Sequence, residues 1–132
     1  MKKIATAKFA GSVLLITFVL LLDLHFLILM RVVPAAIVWG GRVAADQSNL
    51  YQLEIIAIAA TLIFLGLVIA KLRKLKLGIS NRWINVGIWA MFGYLILNTL
   101  GNFASGITAE TLVFGPLTIV MSLSALRLAL EK

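Results

Sequence analysis

Asp23, His25 and Arg31 place ionisable side chains within or at the edge of an apolar run from Phe9 to Val33. Such groups are expensive in an apolar segment and commonly face a protein interior or a wet cavity. A carboxyl there suits a proton or a cation, an imidazole a proton, a guanidinium an anion. Glu54 lies one turn inside a second apolar run, Asn98 and Asn102 near the end of a third, and Glu110 opens a fourth. No nucleophile–base pairing can be assembled from these residues, so no catalytic residue is expected and the chain reads as a non-enzyme. With a single His and no Cys, thiolate and iron–sulfur chemistry are excluded. No metal set or cofactor is expected either, since His25 with Met30 or Met91 is a poor haem site.

The elements that must hold these residues follow from composition. Hydrophobic residues make up 62% of the 132 residues and charged residues 13%, a balance foreign to soluble domains and natural for a chain whose solvent is lipid. Four runs of about 20 apolar residues fill the length, so the expectation is a single all-α domain, a polytopic four-helix membrane bundle. The spans are expected at 9–33, 49–70, 81–101 and 110–130. Pro34 closes the first. Asn49 with Gln52 reads as a capping box for the second, Gly78 ends its basic tail, and Ser80 is the expected N-cap of the third. Pro116, in the second turn of the fourth, predicts a mild kink. The first run is too long for a cleavable signal and is expected to be retained.

Net charge is +7, and its distribution decides what that means. Lys2, Lys3 and Lys8 precede the first span, Lys71, Arg73, Lys74, Lys76 and Arg82 lie between the second and third, and Arg127 and Lys132 close the fourth. Only Arg31 and Arg42 belong to the opposite side. By the positive-inside rule both termini are cytoplasmic, and the expected location is a bacterial inner membrane. Lys71 to Lys76 read as a topology signal against anionic lipid, and a nucleic-acid partner is not expected. Residues 35–39 form an apolar patch in the first loop that either lies on the interface or re-enters the membrane.

Depth locates the polar chemistry. At about 1.5 Å per residue, Asp23 lies about 21 Å from Phe9 and Asn98 about 24 Å from Arg82, both in the outer half of a core of roughly 30 Å. In the third span Gly87, Tyr94, Asn98, Gly101, Asn102 and Ser105 share one polar or small stripe. In the fourth, Thr111, Gly115, Thr118, Ser122 and Ala125 make a face that admits a neighbouring helix closely. The expected site is an outer pocket centred on Asp23, with Asn98, Asn102, Tyr94, Glu54, Arg31 and Arg42. His25, about 200° round the helix from Asp23, and Glu110 rank behind them. Structural roles stand beside each: an Asp23–Asn98 hydrogen bond, interface anchoring for the arginines, and helix-dipole placement for the two glutamates. Trp39-Gly40-Gly41-Arg42 could alternatively form an anion-binding turn.

The succession Trp39-Gly40-Gly41-Arg42, Glu54, Asn98-Thr99-Leu100-Gly101-Asn102 and Pro116-Leu117-Thr118 resembles a group of short, uncharacterised four-span bacterial membrane proteins. The resemblance covers most of the chain from Asp23 onward and implies no activity. Asn98 to Phe103 is also similar to a motif of fluoride channels, whose Phe-Ser-Thr motif this chain lacks.

Two roles are expected from these residues. One is a proton-linked transporter or channel for an ion or small solute, with Asp23 as the coupling group, in a homodimer or larger assembly. The other is an accessory protein whose small-residue stripe packs on another membrane subunit.

Overall fold

The computed structural model describes residues 2–37 and 48–132, and side chains there except those of residues 2–5 and 48. Four helices carry the chain: α1 (Lys2–Leu29), α2 (Ser48–Leu77), α3 (Arg82–Ala104) and α4 (Gly115–Leu130). The stretches Thr6–Leu29, Asn49–Leu77, Arg82–Ala104 and Glu110–Leu130 are each long and apolar enough to cross a membrane. Around the bundle each helix packs on its sequence neighbours and α4 closes the ring against α1, while α2 and α3 are the least closely packed pair.

A single spacing rule places the interior. On α1, Ala7, Gly11, Leu14, Phe18, Leu21, His25 and Ile28 recur at alternating steps of four and three and form its buried or half-buried face. Leu50, Glu54, Ala57, Thr61, Phe64, Val68 and Lys71 do the same on α2, and Ile84, Ile88, Met91, Leu95, Asn98 and Asn102 on α3. That 3.5-residue period belongs to left-handed bundles, in which one seam of each helix stays turned toward its neighbours. The opposite faces carry exposed hydrophobics such as Phe9, Trp83, Leu97 and Leu112. An apolar exterior around a partly polar interior inverts the soluble pattern and suits a hydrocarbon solvent.

The helix ends depart from expectation in instructive ways. α1 stops at Leu29, short of Val33, because the chain turns into a Schellman motif. The Arg31 amide donates to the Ile28 carbonyl (2.9 Å) and the Val32 amide to Leu27 (2.9 Å), with Arg31 in the left-handed region at φ 61°. Glycine is the residue normally found there. The motif recurs at the end of α2, now with Gly78 at φ 66°, as the Gly78 and Ile79 amides reach Leu75 (3.2 Å) and Lys74 (3.0 Å). The cap of α3 is Asn81 rather than Ser80, its Oδ1 accepting the Ile84 amide at 3.1 Å.

Pro116 is accommodated by a wide turn. Residues Glu110–Phe114 are π-helical, and the Gly115 amide donates five residues back, to the Glu110 carbonyl. Pro116 has no amide to give and its ring crowds the preceding turn, which a π turn relieves. Of the small face expected on the fourth span, Gly115, Thr118, Ser122 and Ala125 are buried, whereas Thr111, within the π turn, is only half-buried. At Gly115 a Cβ would stand 2.8 Å from the Phe103 ring, so any larger residue there requires that ring to shift.

Ala35–Ile37, part of the expected apolar patch, form a 3-10 turn. Its Ala35 packs with Ile28 and Leu50. The remainder of that patch, the Trp39-Gly40-Gly41-Arg42 turn and Arg42 itself lie outside the described residues.

Candidate functional site

A cavity of about 480 Å³ lies between the four helices at the end of the bundle remote from the termini. Its position follows from the seams. Below it the interior is filled by Leu14, Val68, Ile88, Met91 and Leu128. Where the seams reach His25, Thr61, Asn98, Asn102 and Thr118, smaller and polar side chains leave space. Three rings form the floor: Phe18 and Phe64 with centroids 5.9 Å apart, and Phe64 and Tyr94 at 5.1 Å.

His25 and Glu110 are the titratable residues of the wall besides Tyr94. The His25 Nδ1 lies 2.7 Å from Glu54 Oε2, and Glu54 is fully buried behind it. With Glu54 ionised, Nδ1–H is the donor. The ring is thereby held in one orientation, and Nε2 is the nitrogen not engaged with Glu54. Such a pair can hold a proton in shared form or pass it to a ligand in the cavity. Across the cavity Glu110 is 6% exposed. It faces inward because of the π turn: with the five-residue step to Gly115, Glu110 rather than Thr111 stands on the α4 seam.

The cavity hydroxyls have their protons committed. Thr61 Oγ1 donates to the Ala57 carbonyl (2.7 Å), Thr118 Oγ1 to Phe114 (2.8 Å) and Ser105 Oγ to Asn102 (3.2 Å). Asn102 Nδ2 reaches Thr118 Oγ1 at 3.4 Å, tying α3 to α4. Among the lining residues there is no Lys or Arg.

The expected centre of the pocket is corrected. Asp23 is exposed and lies off the cavity wall, and no contact with Asn98 is formed. The 200° separation between Asp23 and His25 holds, but the inward member is His25. The α1 seam that runs Ala7, Gly11, Leu14, Phe18, Leu21, His25 and Ile28 was the signal that could have placed it. Asn98, Asn102 and Tyr94 do line the cavity, with Gly101 and Ser105 of the same stripe, whereas Glu54 serves from behind His25. Arg31 is exposed and off the cavity. Its guanidinium sits 3.4 Å from the Tyr51 hydroxyl and 5.9 Å from that ring's centroid. Sequence reasoning gave no weight to Phe18 and Phe64.

A second polar cluster closes the end that carries the termini. Lys71, expected to lie against lipid with its basic neighbours, is instead 2% exposed. Its Nζ donates to Asn85 Oδ1 (2.6 Å) and to the Glu131 carbonyl, joining α2, α3 and the end of α4. Arg127 donates to Thr6 Oγ1 (2.8 Å) and to the Glu131 carboxylate (2.9 Å), adding α1.

Fold and site together define an all-helical bundle, four of whose helices could span a bilayer, built around a polar cavity. No family model, no curated protein and no solved structure matches the chain. Among the described residues no three His, Asp or Glu side chains are grouped to hold a metal ion.

Proposed function

We propose that this chain is a multi-pass protein of a bacterial inner membrane, with both termini cytoplasmic, that carries an ion or small solute through an outward-facing cavity in linkage with a proton. The observation that supports this reading best is the His25–Glu54 pair, 2.7 Å apart, in the wall of a cavity between four apolar helices. Ionisable residues at that depth are rare and commonly mark ligand or proton paths. The proton-linking role passes from Asp23 to His25 and Glu54. The positive-inside distribution supports the orientation, and the sealed end at Lys71 and Arg127 supports an opening toward the outer side. No reaction is catalysed in this proposal. One chain encloses the cavity, so a homodimer is compatible with the role and not required for it.

The accessory reading rested on the small-residue face of the fourth span being available to a partner. That face is buried within the bundle, which favours the cavity-based role.

The test is reconstitution of the purified protein into liposomes loaded with a pH-sensitive dye, with solute gradients imposed across the membrane. Solute-dependent proton movement that Glu54→Gln and His25→Gln abolish, while both variants elute as folded monodisperse protein, supports the proposal. Absence of flux together with stoichiometric co-purification of another membrane subunit refutes it in favour of the accessory role.

A further inference from the structure

We infer that the ligand of the cavity is an uncharged aromatic ring compound bearing a hydroxyl group, of the phenol class, admitted from hydrocarbon through the opening between α2 and α3. The inference rests on the reading of the cavity as the ligand site and specifies what occupies it. The polar end of the ligand follows from which hydrogen-bonding groups of the wall are still unengaged. Several are spent within the protein. Thr118 Oγ1 donates to the Phe114 carbonyl (2.8 Å) and accepts from Asn102 (3.4 Å), while Ser105 Oγ donates to the Asn102 carbonyl (3.2 Å) and accepts the Ile107 amide (3.1 Å). The two acids have partners too: Glu54 holds His25 and interacts beyond it, and Glu110 has an interaction of its own. Among the described lining residues there is no Lys or Arg. Left without a hydrogen bond among the described residues are the Asn98 side-chain amide, the Tyr94 hydroxyl and Nε2 of His25. An amide and a hydroxyl reward a neutral polar group and give an ion no counter-charge.

The same three groups select a hydroxyl over other neutral polar groups. A carboxamide offers N–H donors and a carbonyl acceptor, a phenolic oxygen gives or takes a hydrogen bond, and an imidazole nitrogen donates in one tautomer and accepts in the other. A ligand hydroxyl meets all of these, whereas a ketone or an ether only accepts. The floor selects the body. Phe18 and Phe64, with centroids 5.9 Å apart, and Phe64 and Tyr94, at 5.1 Å, offer tilted ring faces and edges against which another aromatic ring packs favourably. The volume of about 480 Å³ lies in the range that takes a compact organic molecule.

The mouth gives the route. The lining residues that reach the surface, Tyr94 (48% exposed), Gly101 and Ala104, all belong to α3. Opposite them α2 presents the small Ala57 and Ala60. α2 and α3 are also the least closely packed neighbours in the ring, so the opening lies between them. Tyr94 stands about 18 Å along α3 from Arg82, which sets the opening within the apolar length of the helix, and beside it Leu97 and Leu100 are exposed at 69% and 62%. An ion arriving this way would have to shed its water at great cost. A neutral hydroxyarene dissolves in hydrocarbon and arrives ready to exchange its one polar group into the wall.

The experiment is isothermal titration of the detergent-solubilised full chain at pH 7, with the non-saturable uptake of empty micelles subtracted. The probe is 2-naphthol; 2-methoxynaphthalene keeps the ring and an acceptor but has no O–H, and 2-naphthalenesulfonate and trimethyl(2-naphthyl)ammonium carry the two charges. Saturable binding of 2-naphthol is expected, with 2-methoxynaphthalene about tenfold weaker for want of one hydrogen bond and neither ion saturating. Asn98→Leu should weaken 2-naphthol about tenfold. Gly101→Leu, which has open space for its side chain at the mouth, should slow the approach to equilibrium about tenfold, while Gly93→Leu, equally open on α3 but off the cavity wall, should leave the rate unchanged. Where Asn98→Leu does not fold, the two neutral naphthalenes on the unaltered chain decide the hydrogen bond. No saturable binding of 2-naphthol, equal binding of 2-methoxynaphthalene, saturable binding of either ion, or an equal effect of the two glycine variants overturns the inference. Proton flux without 2-naphthol binding sinks this inference and leaves the transport reading standing. Binding of 2-naphthol without any flux does the reverse.

Discussion

Replacing His25 with leucine removes the partner that stands 2.7 Å from a carboxyl group with no solvent exposure. An uncompensated buried charge costs about 3–5 kcal/mol in soluble proteins. Two effects reduce this here: the denatured chain in a micelle also keeps Glu54 in poor solvent, and His25 is not the sole group with which Glu54 interacts. About 2 kcal/mol is the expected loss for His25→Leu. Glu54→Leu leaves an imidazole whose side chain is 16% exposed and should cost about 1 kcal/mol, because a neutral ring is easier to strand. The double variant exchanges the pair for hydrocarbon of similar volume and should cost only about 0.5 kcal/mol. Hence the two sites should couple by about 2–3 kcal/mol. The assay is reversible unfolding in mixed micelles of maltoside and dodecyl sulfate, followed by tryptophan fluorescence for all four proteins. Coupling below about 0.5 kcal/mol would refute the premise that the two side chains act as one buried unit.

Four other substitutions test separate parts of the structure. Asp23→Asn should change stability by less than about 0.5 kcal/mol, as for an exposed surface site, and leave proton-linked flux intact; a loss of flux would return Asp23 to the site. Arg31→Gly should stabilise by about 0.5–1 kcal/mol in the same unfolding assay, since a left-handed backbone costs a side-chain-bearing residue about 1 kcal/mol or more and the 3.4 Å contact to Tyr51 is exposed. Destabilisation would show that the guanidinium contacts outweigh backbone strain. Lys71→Met should cost about 2 kcal/mol by removing charge-assisted bonds to Asn85 and the Glu131 carbonyl, and should speed tryptic cleavage at Arg127; unchanged cleavage would mean that Lys71 does not hold the end of α4. Gly115→Val should cost about 1–3 kcal/mol by overpacking against Phe103, and a neutral effect would show that the ring moves aside freely.

Much of this architecture was legible because each helix is a long, nearly uninterrupted apolar run. Four apolar runs gave the number and order of the helices, although α1 begins seven residues before Phe9 and α2 runs seven beyond Ala70. The stripes on α3 and α4 were legible because polar or small residues stand out against Leu and Ile. α1 offered no such contrast. Its two faces are almost equally hydrophobic, so composition carried no phase, and Asp23 drew attention by its cost rather than by its direction. Depth along a helix says how far a residue lies from the interface and nothing about which way it points. The end of α2 failed for a related reason. Lys71 belongs in sequence to a basic tail, yet the α2 seam extends one step further than the apolar run and carries that lysine inside.

The π turn before Pro116 has a consequence for chain length. A helix that takes five residues where four would do contains one surplus residue between Glu110 and Gly115. Deleting Leu112, which is 68% exposed, would restore ordinary four-residue spacing while still leaving Glu110 one turn ahead of Gly115 on the inward seam. The carboxyl group would thus survive a deletion that most transmembrane helices answer by rotating about 100°. What would be lost is the relief at Pro116, whose ring would again meet the carbonyl of the preceding turn.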